Sequence, residues 1–287
     1  MTIFNISILA LIQGAAELLP VSSSAHVIVA AKLMGLDPTS PEMTFLLVML
    51  HTGTMFAVIF FFWKSWMKSF FSSMKVFAES VKLIAIATLF TGLVGLSLKY
   101  FIERVVLKES PGAEIEDIFG NLDWIALALS SVGIFIIFSG LITRRKAATD
   151  KIIGIKESTW IGMVQGICLP FRGFSRSGAT ISTGLVLGVI KQKAEEFSFA
   201  LAVVLTPPVI LREVMRLVKE QKNAALDMAA MTALFSPAIF GMLMSFVSGM
   251  LALKLLSRWL ENGKWHYFGV YCLCFSVLVF VLHKLGY

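Results

Sequence analysis

Two stretches of the chain place ionisable and hydroxyl side chains inside runs that are otherwise apolar. The first holds Gln13, Glu17, Ser22, Ser23, Ser24 and His26; the second holds Gln165, Arg172, Ser175, Arg176, Ser177 and Thr180. Each opens on Gln-Gly, reaches Leu-Pro, and turns through serines into another apolar run. Glu17 lies four residues after Gln13 and so shares a helix face with it. A carboxylate there can hold a divalent ion against phosphates, carry a proton, or pair with Arg176. Arg176 offers a planar fork suited to two phosphate oxygens at once. His26, about one turn beyond Ser23, is in range as a base or a nucleophile. Two helix starts, several hydroxyls and a guanidinium converging in a dry cavity make a receptor of phosphate size.

Each residue also has a plainer use. Serines beyond a proline cap helices, and a cytoplasmic arginine can snorkel to water. A lone histidine is more often a structural hydrogen-bonder. Grouping within two short stretches favours function, because ionisable groups inside membrane segments are costly. His51, with Thr52, Gly53 and Thr54, interrupts another apolar run and is read equally as a cavity lining or a helix–helix hydrogen bond. His266 and His283 read as interfacial, and Glu195 and Glu196, after Lys191 and Lys193, as a solvated loop. Cys168, Cys272 and Cys274 all sit in apolar runs and read as packing, not as a disulfide framework or zinc site.

The elements that must position these groups follow from composition. Hydrophobic residues are 57% of 287 and charged residues 15%, which excludes a water-soluble domain. Basic cytoplasmic loops account for the net charge of +7 without nucleic acid. No Lys or Arg precedes Lys32, so no cleaved signal peptide is expected. Six runs, near 43–63, 82–102, 122–143, 198–216, 229–254 and 265–286, reach the roughly 20 residues a bilayer requires. The two polar stretches are instead pairs of short apolar pieces, 3–18 with 22–35 and 158–170 with 176–190, broken at Pro20 and Pro170.

Lys64, Lys68, Lys75 and Lys82, and then Arg144, Arg145, Lys146, Lys151 and Lys156, mark cytoplasmic loops. Glu103, Glu109, Glu114, Glu116 and Asp117 lie between them on the opposite side, while Lys219 and Lys222 fit this scheme poorly. Trp66, Phe70, Met74, Phe77 and Val81 recur at helical spacing and predict a helix lying in the interface. Three spans follow each broken segment, and three is odd, so the second half inserts upside down. The expected architecture is an all-α integral membrane protein with six full transmembrane helices plus two re-entrant helix-turn-helix segments. Its single membrane domain, 1–287, is an inverted-topology repeat with halves of roughly 1–150 and 151–287.

Gln13 to His26 resembles the Glu/Gln-x-x-x-Glu…Pro-Val-Ser-Ser segment of the bacterial undecaprenyl pyrophosphate phosphatases of the bacitracin-resistance type. Gly173-Phe174-Ser175-Arg176-Ser177-Gly178-Ala179-Thr180 resembles their Pro-Gly-x-Ser-Arg-Ser-x-x-Thr signature, and the likeness covers nearly the whole chain. The resemblance implies hydrolysis of undecaprenyl pyrophosphate to the monophosphate in the bacterial inner membrane, with a pocket opening to the periplasm. That reaction recycles the lipid carrier of peptidoglycan and confers bacitracin resistance. By position, the resemblance makes Glu17 the essential glutamate, Ser23 the nucleophile, His26 the motif histidine and Arg176 the phosphate-binding arginine. Ser22, Ser24, Arg172, Ser175, Ser177 and Thr180 would surround the phosphates. A divalent cation, Mg²⁺ or Ca²⁺, is implied, with Glu17 as ligand and Gln13 nearby.

Two departures stand out. Gln at position 13 leaves one carboxylate in the first motif, and Phe171 and Arg172 separate Pro170 from Gly173 where the pattern has Pro-Gly adjacent. The implied partners are the lipid pyrophosphate and membrane lipids, with no nucleic acid; a homodimer is left open. Attack by Ser23 and attack by a cation-bound water both remain open. The rival from another class is a secondary transporter, or a polyprenyl-phosphate flippase, using the same midplane anion site.

Overall fold

A computed structural model describes residues 1–37, 40–106, 121–145, 151–221 and 228–286. Among these the chain forms ten α-helices. Helices α1 (Ile3–Leu18) and α2 (Ser23–Leu33) are the halves of the first broken segment, followed by α3 (Pro41–Ser69), α4 (Met74–Phe101) and α5 (Leu122–Arg145). Helices α6 (Ile155–Cys168) and α7 (Arg176–Val186) form the second, followed by α8 (Lys191–Gln221), α9 (Met228–Glu261) and α10 (His266–Lys284). One π-helical turn, Ile102–Val106, extends α4. Local chemistry sets several starts. The hydroxyls of Thr2, Ser40 and Ser73 accept from the backbone N–H groups of Asn5, Met43 and Val76, and Pro41 opens α3 where its missing N–H costs nothing.

Among the described residues, five helical stretches are long and apolar enough to cross a membrane: Met43–Ser69, Met74–Val105, Leu122–Arg144, Phe235–Glu261 and His266–Lys284. The chain is a multi-pass membrane protein. The run expected at 198–216 lies within α8, which stays helical through Pro207 and Pro208. Helices α1, α2, α6 and α7 have 16, 11, 14 and 11 residues. At about 1.5 Å per residue, each falls short of a hydrocarbon core of about 30 Å.

The helices pack in pairs, with α3 lying along both α8 and α9. Helix α1 lies along α9 and α6 lies along α4, while α5 pairs with α10 and α3 with α8. Small residues permit this closeness, as expected where apolar lipid gives helices little hydrophobic reason to associate. A Cβ on Gly162 would collide with the Ala87 backbone of α4, and one on Gly269 would lie 2.5 Å from the Gly133 carbonyl oxygen of α5.

Two expectations are corrected. The interfacial helix does not form: α3 runs to Ser69, and Ser73 caps the start of α4. The helical spacing of Trp66, Phe70, Met74, Phe77 and Val81 therefore comes from two helices meeting at a short turn. Trp66 is buried in the core, and its indole N–H donates to the Glu196 carbonyl at 3.3 Å. Glu195 and Glu196 are likewise no loop but the second turn of α8, both buried. Glu196 accepts from Ser69 at 2.9 Å, Gln192 at 2.8 Å and Lys193 at 3.0 Å, and also from Ser65; Glu195 accepts from Ser257 at 2.5 Å. Glu109, Glu114, Glu116 and Asp117, with Lys146 and Lys222, lie outside the described residues.

Candidate active site

The two broken segments stop for different local reasons. Helix α1 ends at Leu18, since Pro20 cannot continue it, and Leu19 is extended at φ −75° and ψ 151°. The Val21 N–H then donates to the Leu19 carbonyl at 2.8 Å, and Ser22 adopts φ 69°, a left-handed conformation rare outside glycine. No side-chain hydrogen bond caps α2. The Cys272 thiol of α10 meets the Pro20 carbonyl at 3.3 Å and ties this turn to the core. In the second segment Gly173 takes the positive φ, 105°, pressed against the Ile125 carbonyl. Ser175 then caps α7, accepting from the Gly178 N–H at 3.2 Å.

The turns meet at Glu17. Its Oε1 accepts from the Arg176 guanidinium at 2.8 Å, across the boundary between the halves. Its Oε2 accepts from the Ser23 hydroxyl at 2.5 Å and from the Gln13 amide at 3.2 Å. His51 of α3 brings Nε2 to 3.6 Å from the same oxygen, while its Nδ1 is 2.7 Å from the Leu47 carbonyl. Glu17 and Arg176 side chains are 15% and 23% exposed, so this ion pair sits in a largely desolvated setting where it counts for more than on a surface. Beside it is a small cavity of about 10 Å³, lined by Glu17, Arg176, Thr54, Met55, Val58 and Thr206 among others. That volume is about one water molecule's worth.

Not every polar residue of the two stretches faces this point. The Ser177 hydroxyl donates to the Leu19 carbonyl at 3.4 Å, joining the turns to each other. Thr180 is buried, donating to the Arg176 carbonyl at 2.8 Å and lying 2.6 Å from the Ser198 hydroxyl. Arg172 is exposed on the second turn, and Ser24 is half-buried on the first turn of α2. His26 places Nδ1 2.7 Å from the Ser22 carbonyl and Nε2 2.7 Å from the Tyr271 hydroxyl of α10. Gln165 is buried away from Glu17, donating to Thr91 at 3.0 Å. Thr54, Thr206 and Tyr271 belong to neither motif; the sequence offers only Thr54, beside His51, equally as a cavity lining or a helix–helix hydrogen bond.

The donor set can be tested against a divalent cation. Glu17 is the carboxylate at the meeting point, and among the described residues no three His, Cys, Asp or Glu side chains gather. A closed protein cage does not fit this set. A hard ion held by one carboxylate and completed by substrate phosphates does, as Mg²⁺ is commonly bound.

The sequence profile of the family described as "Bacitracin resistance protein BacA" matches residues 6–278. The chain belongs to this family. It is 54% identical over 283 residues to "Undecaprenyl-diphosphatase 2" of Acinetobacter baylyi, covering 98% of each chain. It is 31% identical to "Undecaprenyl-diphosphatase" of Bacteroides fragilis, again over 98% of each, and 28% identical to the protein of that name from Methanosphaera stadtmanae, with the same coverage.

Proposed function

We propose that the protein hydrolyses undecaprenyl pyrophosphate to undecaprenyl phosphate and inorganic phosphate, so returning the lipid carrier to envelope synthesis and conferring bacitracin resistance. One observation carries this reading: Glu17 binds the Ser23 hydroxyl with one oxygen and the Arg176 guanidinium with the other. A hydroxyl donating to a carboxylate is the arrangement of a nucleophile and its base. Ser23 Oγ attacks the terminal phosphorus as its proton passes to Glu17. The bond from that phosphorus to the bridging oxygen breaks, and the monophosphate lipid leaves. Water then cleaves the phosphoserine and releases phosphate. Arg176 steadies the charge on the transferring group, helped by the uncapped N–H groups at the start of α2. Phosphate entering the opening beside Glu17 meets the Arg176 guanidinium that lines it. A divalent cation held by Glu17 would neutralise phosphate charge.

In this reading α8 is the sixth span, the segments α1–α2 and α6–α7 are re-entrant, and the mirrored pairing of α1 with α9 and α6 with α4 reflects an inverted repeat. The site opens to the periplasmic side of the inner membrane.

The test is phosphate release from undecaprenyl pyrophosphate by purified protein in detergent, with Mg²⁺, Ca²⁺ or chelator, beside Glu17→Ala and Arg176→Ala. Cation-dependent release, lost in both variants, supports the reading. A well-folded wild type that releases nothing under any cation would leave the transporter reading in its place.

A further inference from the structure

We infer that His26 is a positioning residue, not the acid or base of the reaction, and that with Tyr271 it clamps the Ser22 carbonyl so that Ser23 stays aimed at Glu17. The inference rests on the phosphatase reading for its activity assay. It starts from hydrogen-bond chemistry. A carbonyl oxygen only accepts, so the 2.7 Å contact between His26 Nδ1 and the Ser22 oxygen requires the proton on Nδ1. A neutral ring then has its single lone pair on Nε2, and that atom lies 2.7 Å from the Tyr271 hydroxyl, which donates to it. Both nitrogens are committed. Neither is bonded to Ser23 or Glu17, whose own hydrogen bond is complete without the ring.

The ring is also fixed in plane. It stacks on Phe275 with centroids 3.8 Å apart and an interplanar angle of 4°, and Tyr271 stacks parallel at 5.6 Å and 9°. Turning an imidazole edge toward Ser23 would break two hydrogen bonds and this stack together. The bond to Ser22 falls where the backbone most needs one. Ser22 has φ 69°, its side chain caps nothing, and the backbone bond that its carbonyl accepts from the His26 N–H is long, at 3.4 Å. The imidazole thus supplies the short bond that fixes this carbonyl. Ser23 is the next residue, and its 2.5 Å bond to Glu17 depends on the direction in which the turn delivers it. Such left-handed residues persist only where surrounding contacts over-determine them.

The experiment measures kcat, KM and the pH profile of phosphate release for the full-length wild type, His26→Asn, His26→Leu and Tyr271→Phe, with thermal melts for each. Asn keeps a donor at the Nδ1 position but cannot serve as an imidazole base. Removing a true acid–base group costs about 10²–10⁴-fold. The expected result is His26→Asn within about 10-fold of wild-type kcat with both pH limbs in place, and His26→Leu down by about 10²-fold or more. Tyr271→Phe should fall between wild type and His26→Leu. A folded His26→Asn that is as inactive as His26→Leu beside an active wild type, or that loses one pH limb, overturns the inference. Nitrogen-15 spectra of histidine-labelled wild type decide it independently of activity or variant folding. An Nδ1–H ring unchanged by added inorganic phosphate supports the clamp, and an Nε2–H ring overturns it. An inactive wild type whose His26 is an Nδ1–H ring would sink the phosphatase reading and leave the clamp standing.

Discussion

The turn at 19–22 forces a serine into a left-handed conformation, while the turn at 169–175 assigns that conformation to Gly173. The first leaves its following helix without a side-chain cap, and the second caps its own with Ser175. The first turn is held from other helices by Cys272 at Pro20 and Ser177 at Leu19, and one helical turn along α2 by His26 at Ser22. In the second turn the Phe174 N–H donates to the Phe171 carbonyl at 3.1 Å and Ser175 caps α7, while Gly173 packs against Ile125. Backbone strain at a functional site persists when the surroundings impose it, and here it lies beside the hydroxyl that meets Glu17. The relaxed turn delivers a guanidinium, whose long side chain tolerates small errors in backbone placement. In the proposed mechanism the two similar motifs therefore divide the work: the first aims an attacking group, and the second anchors a charge.

The sharpest challenge to that division compares one serine from each turn. Ser23→Ala removes the proposed nucleophile and should lower kcat by about 10³-fold or more. Ser175→Ala removes a cap, costing about 1 kcal/mol of stability and less than about 10-fold in rate. Phosphate release and thermal melts on both variants check this, and equal losses in rate would erase the distinction between the turns. Next in size is Arg176→Lys, which keeps the charge but loses the fork and should cost about 10²-fold in kcat. A drop confined to KM would make Arg176 a binding group only. In the second turn Gly173→Ala should destabilise by about 2–3 kcal/mol, because it combines a positive φ with a Cβ against the Ile125 carbonyl. The melt of that variant tests whether the second turn is as rigidly built as its packing implies.

Spacing within one helix, and the cost of charge in a membrane, were legible from sequence. They place Gln13 beside Glu17 and predict that Glu17 and Arg176 matter together, and the 2.8 Å pair joins the halves. What lies across from a helix is not written in its own periodicity. His26 looks close to Ser23 in sequence, yet its ring turns to Tyr271, which belongs to the last helix. Ser175, Ser177 and Thr180 fit a phosphate signature, and the structure spends their hydroxyls on caps and inter-helix bonds. Glu195 and Glu196 read as loop residues because they follow two lysines. They are buried because the ends of α3 and α9 bring Ser65, Ser69 and Ser257 to them.

The smallest predicted effect discriminates most finely between backbone and side-chain roles for the first turn. Ser22→Gly removes a hydroxyl that the phosphate signature would enlist and gives the turn a residue that adopts φ 69° freely. It leaves the carbonyl that His26 holds. If the carbonyl is what matters, stability rises by about 1 kcal/mol as the left-handed strain is relieved. The rate should then stay within about 3-fold of wild type, since removing a donor that stabilises the transition state would cost about 10²-fold or more. A thermal melt and a single kcat determination read both quantities. A stable variant with a 10²-fold lower rate would make the Ser22 hydroxyl a phosphate donor and tie the strain directly to substrate binding. A stable and active one would show that the first turn works through its backbone, held by the imidazole that α2 carries one turn further on.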